Sequence, residues 1–423
     1  RLNLRPNQSD NNDDPTFINL APARLYRPSH RRHFQEAIAR RTLVQPQTQR
    51  AVATEPTGRN GPWLESLSPS DLSLTVGRIQ TCLAADVDAA VARAEAALPA
   101  WHALGAPGRG ALLLRAAERL AGRRDDFAVL VALEAGKSRL EALGDVDEAV
   151  DFLRFYAMEA WRRDQHGGLR RGRGVIAVIA PWNFPLAIPC GMAAAALAAG
   201  NTVALKSAEQ SPLVVEALVE LLHEVGVPTD AAQHLPGGGP EVGGPLVAHP
   251  VVAGCVFTGS KGVGTSLHSQ LAAAAHDTAD GRTCGKMVIT EMGGKNAVII
   301  TANADIDEAI GACLSAAFAH AGQKCSAASR LLVDHRVFDA FTERFARAAA
   351  DLVVGDALTP GVQVNAVISP EDQARLCQAQ RDAATECAAR GGRILLAGGP
   401  AAGPGPSGGA SAGVRPAVFQ LPV

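Results

Sequence analysis

The apolar positions change period along the chain, and that change organises it. Over residues 84–163 they recur at helical spacing: Asp86-Val87-Asp88 opens a helix, Gly108 interrupts the run, and 111–120 and 125–135 carry the next two helices. Short apolar, β-branched runs then take over at 175–179, 202–205, 251–257 and 287–290, separated by helical stretches at 189–199, 212–225 and 262–275. Strands alternating with helices predict βαβ units and an α/β fold whose parallel sheet is covered on both faces. A second series begins with the run 297–300. Its helix starts at Asp305 with Glu308 three residues on, a capping-box-like start, and a strand at 331–334 follows.

The flanks read differently. Residues 1–50 are polar, rich in Asn, Asp and Arg and punctuated by prolines, which predicts an irregular arm with one helix near 31–41. Residues 398–413 are a Gly/Pro/Ser/Ala stretch, expected to be an exposed, mobile loop. With 423 residues the chain exceeds one ordinary domain, and 47% apolar residues supply material for two or three cores. A net charge of −2 without a basic block, and only 4% aromatics, argue against a nucleic-acid partner. The eight cysteines form no Cys-x-x-Cys and the 11 histidines no His-x-x-x-His, so neither a metal nor a disulfide framework is expected. That cysteine usage fits a reducing compartment, and a cytoplasmic location is expected. The longest apolar stretch, 186–200, holds Pro189, Gly191 and Gly200 and is too short to span a bilayer, so no membrane partner is expected. A first residue of Arg1 and the lack of a signal-peptide pattern suggest a processed N-terminus or a fragment.

Three motifs carry candidate chemistry. Cys325 closes Gly322-Gln323-Lys324-Cys325, Glu291 opens Glu291-Met292-Gly293-Gly294-Lys295-Asn296, and Asn183 sits in Pro181-Trp182-Asn183-Phe184-Pro185. A thiol that attacks as thiolate, a carboxylate that activates water and an amide that holds an oxyanion are the parts needed to oxidise an aldehyde covalently. Singly, each has a plainer reading: a buried inert cysteine, a solvated glutamate, a turn asparagine. Their order and neighbours together favour the chemical reading.

The cofactor signals are weaker. No Gly-x-Gly-x-x-Gly is well placed, and Gly237-Gly238-Gly239 follows no clear strand. Phe257-Thr258-Gly259-Ser260, then Gly264, does follow a strand. Gly259 and Gly264 there would let backbone N–H groups and the Ser260 hydroxyl approach a phosphate at a helix N-terminus, although a plain tight turn reads the same residues equally well. Lys206 and Glu209 follow the run 202–205, at the strand end where ligands bind in such sheets. A carboxylate there accepts from ribose hydroxyls and repels a 2′-phosphate, favouring NAD over NADP; an ordinary surface Lys/Glu pair is the alternative.

Together these motifs resemble the aldehyde dehydrogenase superfamily, from about Arg50 to Val423. The resemblance implies two doubly wound parallel-sheet domains: a cofactor domain over 51–155 and 174–293 and a catalytic domain over 294–423, with an arm at 1–50 and an oligomerisation segment at 156–173. It implies Cys325 as nucleophile, Glu291 as general base, and Asn183 with the Cys325 backbone N–H as oxyanion hole. Lys206 and Glu209 would hold the adenosine ribose of NAD, Gly239 would border the adenine and Ser260 the pyrophosphate, with Gly259 and Gly264 beside it. Trp182 and Met292 would line the nicotinamide side, and Phe184 and Ser326 would touch substrate. Glu-Met-Gly-Gly-Lys-Asn-Ala, Gly-Gln-Lys-Cys-Ser-Ala-x-Ser-Arg and the long connection 271–286 are most similar to the L-glutamate γ-semialdehyde (Δ1-pyrroline-5-carboxylate) dehydrogenase branch. That branch implies a small semialdehyde substrate, a homo-oligomer in the intact family, and fusion to or association with a proline dehydrogenase. Three departures stand out: Ser207 replaces a proline, 156–173 is brief for the family's intersubunit hairpin, and the chain ends before the family's Glu-x-Phe-Gly-Pro, so a truncated catalytic domain is expected. The rivals are a dehydrogenase of another semialdehyde such as succinate semialdehyde, an inactive homologue that binds nucleotide only, and a cysteine hydrolase pairing Cys325 with His320.

Overall fold

Val175–Ile179 is the middle strand of a five-stranded sheet, in the order Ala232–His234, Thr202–Lys206, Val175–Ile179, Val252–Gly259, Met287–Met292. Its apolar, β-branched residues suit burial on both faces, and Val175 through Val178 have no exposed surface. It runs parallel to Thr202–Lys206 on one side and to Val252–Gly259 on the other, and Thr202–Lys206 runs parallel to Ala232–His234. The registers align Ile179 with Lys206 and Leu205 with His234, so the carboxyl ends of adjacent strands come level. In this computed structural model residues 17–42, 58–167, 171–277, 283–401, 405 and 408–422 are described. Much of the arm expected at 1–50, and residues 168–170 of the segment expected at 156–173, lie outside the described residues.

The chain divides into two compact units. The first comprises Arg1–Ser66, Gly77–Leu130 and Leu143–Glu291, and the second Leu67–Val76, Val131–Ala142 and Met292–Val423. In the first, helices Ala84–Ala103, Gly105–Gly122, Ala187–Ala198 and Pro212–Glu224 pack around the sheet. Asp86 starts the first of them by accepting from the Leu83 N–H at 2.8 Å. Trp101, fully buried, donates its indole N–H to the Leu197 carbonyl at 3.2 Å and ties two helices together. The break between the first two helices falls at Gly105, whose φ of +64° a residue with a side chain rarely adopts; Gly108, expected to interrupt the run, lies inside the second helix.

In the second unit Asn296–Ile300 pairs in parallel with Ala328–Val333. Helices Ile306–Phe318 and Phe338–Ala350 cover that pair through Ile300, Ile310, Cys313, Phe341 and Phe345. Asp305 caps the first of these helices, accepting from the Asp307 and Glu308 N–H groups at 2.9 and 3.1 Å. An antiparallel pair, Arg393–Pro400 with Val414–Gln420, packs against helix Pro370–Ala389. Of residues 398–413, expected to form an exposed loop, 402–404 and 406–407 lie outside the described residues, and those described are only partly exposed. Pro400 ends a strand, Ala412 is fully buried, and the Ala412 N–H donates to the Pro69 carbonyl at 3.2 Å. Small residues suit close backbone packing as well as they suit a loop. Among the described residues no helix is long and apolar enough to cross a membrane, and no group of three or more His, Cys, Asp or Glu is arranged to hold a metal ion.

Candidate functional site

In the first unit the candidate cofactor residues gather where the parallel strands end. Lys206 is the last residue of its strand; its side chain is 8% exposed, and burial lowers its pKa against the opposing pull of Glu209 and Glu241. Its Nζ lies 3.8 Å from Glu209 Oε1, and the same oxygen accepts from the Gly239 N–H at 3.2 Å. Lys206, Glu209 and Gly239 thus form one cluster. The glycine run does follow a strand, contrary to the sequence reading: Ala232–His234 precedes it, but three residues are too few to show a period. Nothing lies within 4 Å of where a Cβ on Gly239 would stand, so a flat group can approach its backbone.

Ser260 caps helix Lys261–Leu271, its Oγ accepting from the Val263 N–H at 3.4 Å, and Gly264 is buried in the first turn. A Cβ on Gly259 would stand 2.6 Å from the Phe257 ring, so the tight turn needs glycine. Trp182, Asn183 and Phe184 occupy the bend between Val175–Ile179 and Ala187–Ala198, each half-buried. Glu291 is exposed, and Met292 closes its strand half-buried. Glu291 also lines a cavity of about 580 Å³ with Tyr156, Ile188, Met192 and Thr258. Thr258 Oγ1 donates to Met192 Sδ at 3.6 Å. Met192 was hidden in an alanine-rich helix that reads simply as core.

In the second unit Cys325 sits in a turn ahead of Ala328–Val333, and it alone of the eight cysteines is exposed. Burial pushes the Cys82 and Cys255 thiols up to about 12 and raises those of Cys190 and Cys313 as well, which disfavours the thiolate in all four. The turn is pinned from several directions. Asn296 Nδ2 donates to the Cys325 carbonyl at 2.9 Å and the Ala327 carbonyl at 3.3 Å. Gln323 Oε1 accepts from the Ile368 N–H at 2.9 Å, and Lys324 pairs with Glu141. Just upstream, His320 and Ala321 take φ of +51° and +55°, the left-handed region that strains residues with side chains. Ser326, next to the thiol, is exposed. Nothing local in the sequence marks Asn296 or Gln323 as a holder of this turn. His320 is fully buried against Asn365, and burial first, then Lys137 and Lys324, pushes its pKa well down. An imidazole enclosed against Asn365 gives the cysteine-hydrolase reading no support.

Comparison with known proteins gives a consistent set. The aldehyde dehydrogenase family model matches residues 57–421. The 1-pyrroline-5-carboxylate dehydrogenase of Staphylococcus haemolyticus is 34% identical over 303 residues, which is 69% of this chain and 58% of that protein. The 1-pyrroline-5-carboxylate dehydrogenase 2 of Bacillus subtilis is 36% identical over 290 residues, 66% of this chain and 56% of that protein. The chain thus spans less than two thirds of these curated relatives. Among solved structures, a 1-pyrroline-5-carboxylate dehydrogenase from Thermus with bound NAD superposes with a TM-score of 0.86 at 31% identity, over 96% of this chain and 78% of that one. Proline utilization A from Bdellovibrio bacteriovorus, inactivated by N-propargylglycine, superposes with a TM-score of 0.84 at 33% identity, over 96% of this chain and 42% of that one.

Proposed function

This chain belongs to the aldehyde dehydrogenase family, and on that premise we propose that it oxidises L-glutamate γ-semialdehyde to L-glutamate with NAD. The observation that carries the reading is Cys325: the one exposed thiol, in a turn held by Asn296 and Gln323. The choice of substrate rests on the likeness to the 1-pyrroline-5-carboxylate dehydrogenases.

The residues present fit a dinucleotide. A buried ammonium stands three residues before an exposed carboxylate, the Gly239 backbone is open, and Gly259-Ser260 leads into the N-terminus of helix Lys261–Leu271. Lys206 and Glu209 would hold the adenosine ribose, Gly239 would border the adenine, and Ser260 with Gly259 and Gly264 would face the pyrophosphate. Trp182 and Met292 would flank the nicotinamide. NAD, when bound, supplies the hydride acceptor.

The chain's own residues do the rest. Cys325, exposed to solvent, loses its thiol proton to water and its Sγ bonds to the aldehyde carbon, giving a thiohemiacetal oxyanion. Asn183 donates to that oxyanion; removing one such donor costs about 10²–10³ in rate. Collapse of the oxyanion with loss of hydride leaves a thioester on Cys325. Glu291, as carboxylate, takes a proton from water, and the resulting hydroxide attacks the thioester carbon. The C–S bond breaks and the thiolate returns. Phe184 and Ser326 would contact the substrate. The likeness to proline utilization A supports a proline dehydrogenase partner that supplies the semialdehyde, in the same chain or a separate one.

Steady-state NADH formation with a panel of semialdehydes tests the reading. Glutamate semialdehyde is expected to exceed succinate semialdehyde in kcat/KM by about tenfold or more, because a site that pairs with the extra polar group is left unsatisfied by the analogue. A preference for succinate semialdehyde overturns the substrate. NAD binding without turnover of any aldehyde leaves a nucleotide-binding homologue.

A further inference from the structure

Ser207, which stands where the resembling family has proline, begins a buried polar chain. It has no exposed surface, and its Oγ lies 2.9 Å from His234 Nε2. On the other side of the ring His234 Nδ1 meets Glu216 Oε2, and Glu216 in turn accepts from Arg59 Nη2 at 2.7 and 3.0 Å. Arg59 Nη2 also donates to the His234 carbonyl at 3.3 Å. An ionised carboxylate only accepts, so Nδ1 carries the proton, Nε2 accepts, and the Ser207 hydroxyl donates to it. Four side chains from four separate segments stand in one line.

We propose that the Arg59–Glu216–His234–Ser207 chain is a positioning device that sets the spacing of the two loops holding the cofactor's adenosine end. Ser207 directly follows Lys206 and precedes Glu209 by two residues. His234 ends the neighbouring strand, level with Leu205, and the glycine run that ends at Gly239 begins three residues later. The bond between Ser207 and His234 therefore joins the bases of two loops whose tips meet at Glu209 Oε1 and the Gly239 N–H. Glu216 lies on helix Pro212–Glu224, into which the Lys206–Glu209 loop runs, so the loop is fixed at its far end as well. Burial keeps His234 neutral, which preserves the acceptor Ser207 needs.

The order serine, histidine, carboxylate also suggests a hydrolytic triad. Enclosure argues against it. A cavity of about 390 Å³ beside the chain is lined by Arg59, Glu216 and His234 but not by Ser207, which has no exposed surface with which to meet an acyl group. The hydroxyl therefore holds structure in place and performs no chemistry.

The inference rests on the NAD reading, and the test separates the two. NAD affinity is measured by calorimetry, and KM and kcat by NADH formation, for the 423-residue chain and for Ser207→Ala, His234→Gln, Glu209→Gln and Ser207→Ala/Glu209→Gln. Ser207→Ala is expected to weaken NAD about fivefold, the worth of one buried hydrogen bond, with kcat within about twofold. In the Glu209→Gln background the same change is expected to cost less than about twofold, because the contact it positions has already lost its charge and is weakened. His234→Gln keeps an acceptor for Ser207 and is expected to fall between wild type and Ser207→Ala. Unchanged NAD affinity in Ser207→Ala, or an equal loss in both backgrounds, reduces the chain to a stability element and overturns the inference alone. A wild-type protein that binds no NAD overturns the cofactor reading and this inference with it.

Discussion

Glu216→Gln isolates the energetics of the buried chain. Glu216 and Arg59 expose only 10% and 12% of their side chains. Burial alone would raise the Glu216 pKa; the hydrogen bond from His234 and the charge of Arg59 reverse that and bring it from 4.5 down to about 2. A carboxyl so displaced contributes about 3 kcal/mol at neutral pH, in line with the cost of breaking a buried pair by removing one partner. Because the folded value is the lower one, this stability is fully present above 4.5 and is lost as pH falls towards 2. Glutamine keeps the shape and cannot ionise, so the wild-type advantage over the variant traces the linkage directly. Urea unfolding followed by tryptophan fluorescence is expected to give a difference of about 3 kcal/mol at neutral pH, shrinking to about 1 kcal/mol near pH 3. A difference below about 1 kcal/mol at neutral pH, or one that does not change with pH, would refute the assignment of Glu216 as the ionised centre of the chain.

Two further substitutions probe the cofactor face. Gly259→Ala drives a methyl into the Phe257 ring and is expected to destabilise the protein by about 1–3 kcal/mol, read as a lower urea midpoint; an unchanged midpoint would show that the turn has room to spare. Glu209→Ser removes the carboxylate that repels a 2′-phosphate and is expected to narrow the NAD/NADP gap in kcat/KM by about tenfold; a fixed ratio would place the ribose elsewhere.

What the sequence made legible follows from range. Val175–Ile179, Thr202–Lys206 and the helices between them announce themselves through local period, and the Asp305 cap through the residues beside it. Ala232–His234 is too short to show alternation, so the glycine run after it looked unanchored. The apolar runs around Gly108 gave no sign that the backbone turns at Gly105, because the departure lies in φ and not in the side-chain pattern. The stretch 398–413 has loop composition, yet the backbone of its described residues packs against Pro69 and Asp71. At the site, Cys325, Glu291 and Asn183 are conspicuous because their neighbours are unusual. Asn296 as the clamp on the Cys325 carbonyl, and Ser207 as the start of a chain reaching His234, Glu216 and Arg59, are not. Their partners lie 29 residues away in one case and, for His234, 27 in the other, and no local pattern records such pairings.

The central claim is covalent catalysis at Cys325, and trapping the acyl-enzyme in Glu291→Gln tests it most directly. With the water-activating carboxylate gone, the thioester should form and persist. Mixing the variant with NAD and glutamate semialdehyde is expected to give a burst of about one NADH per active chain followed by a stall, with mass spectrometry locating a glutamyl adduct on the peptide that carries Cys325. An unmodified Cys325 together with undiminished steady-state turnover would contradict both the nucleophile and the base.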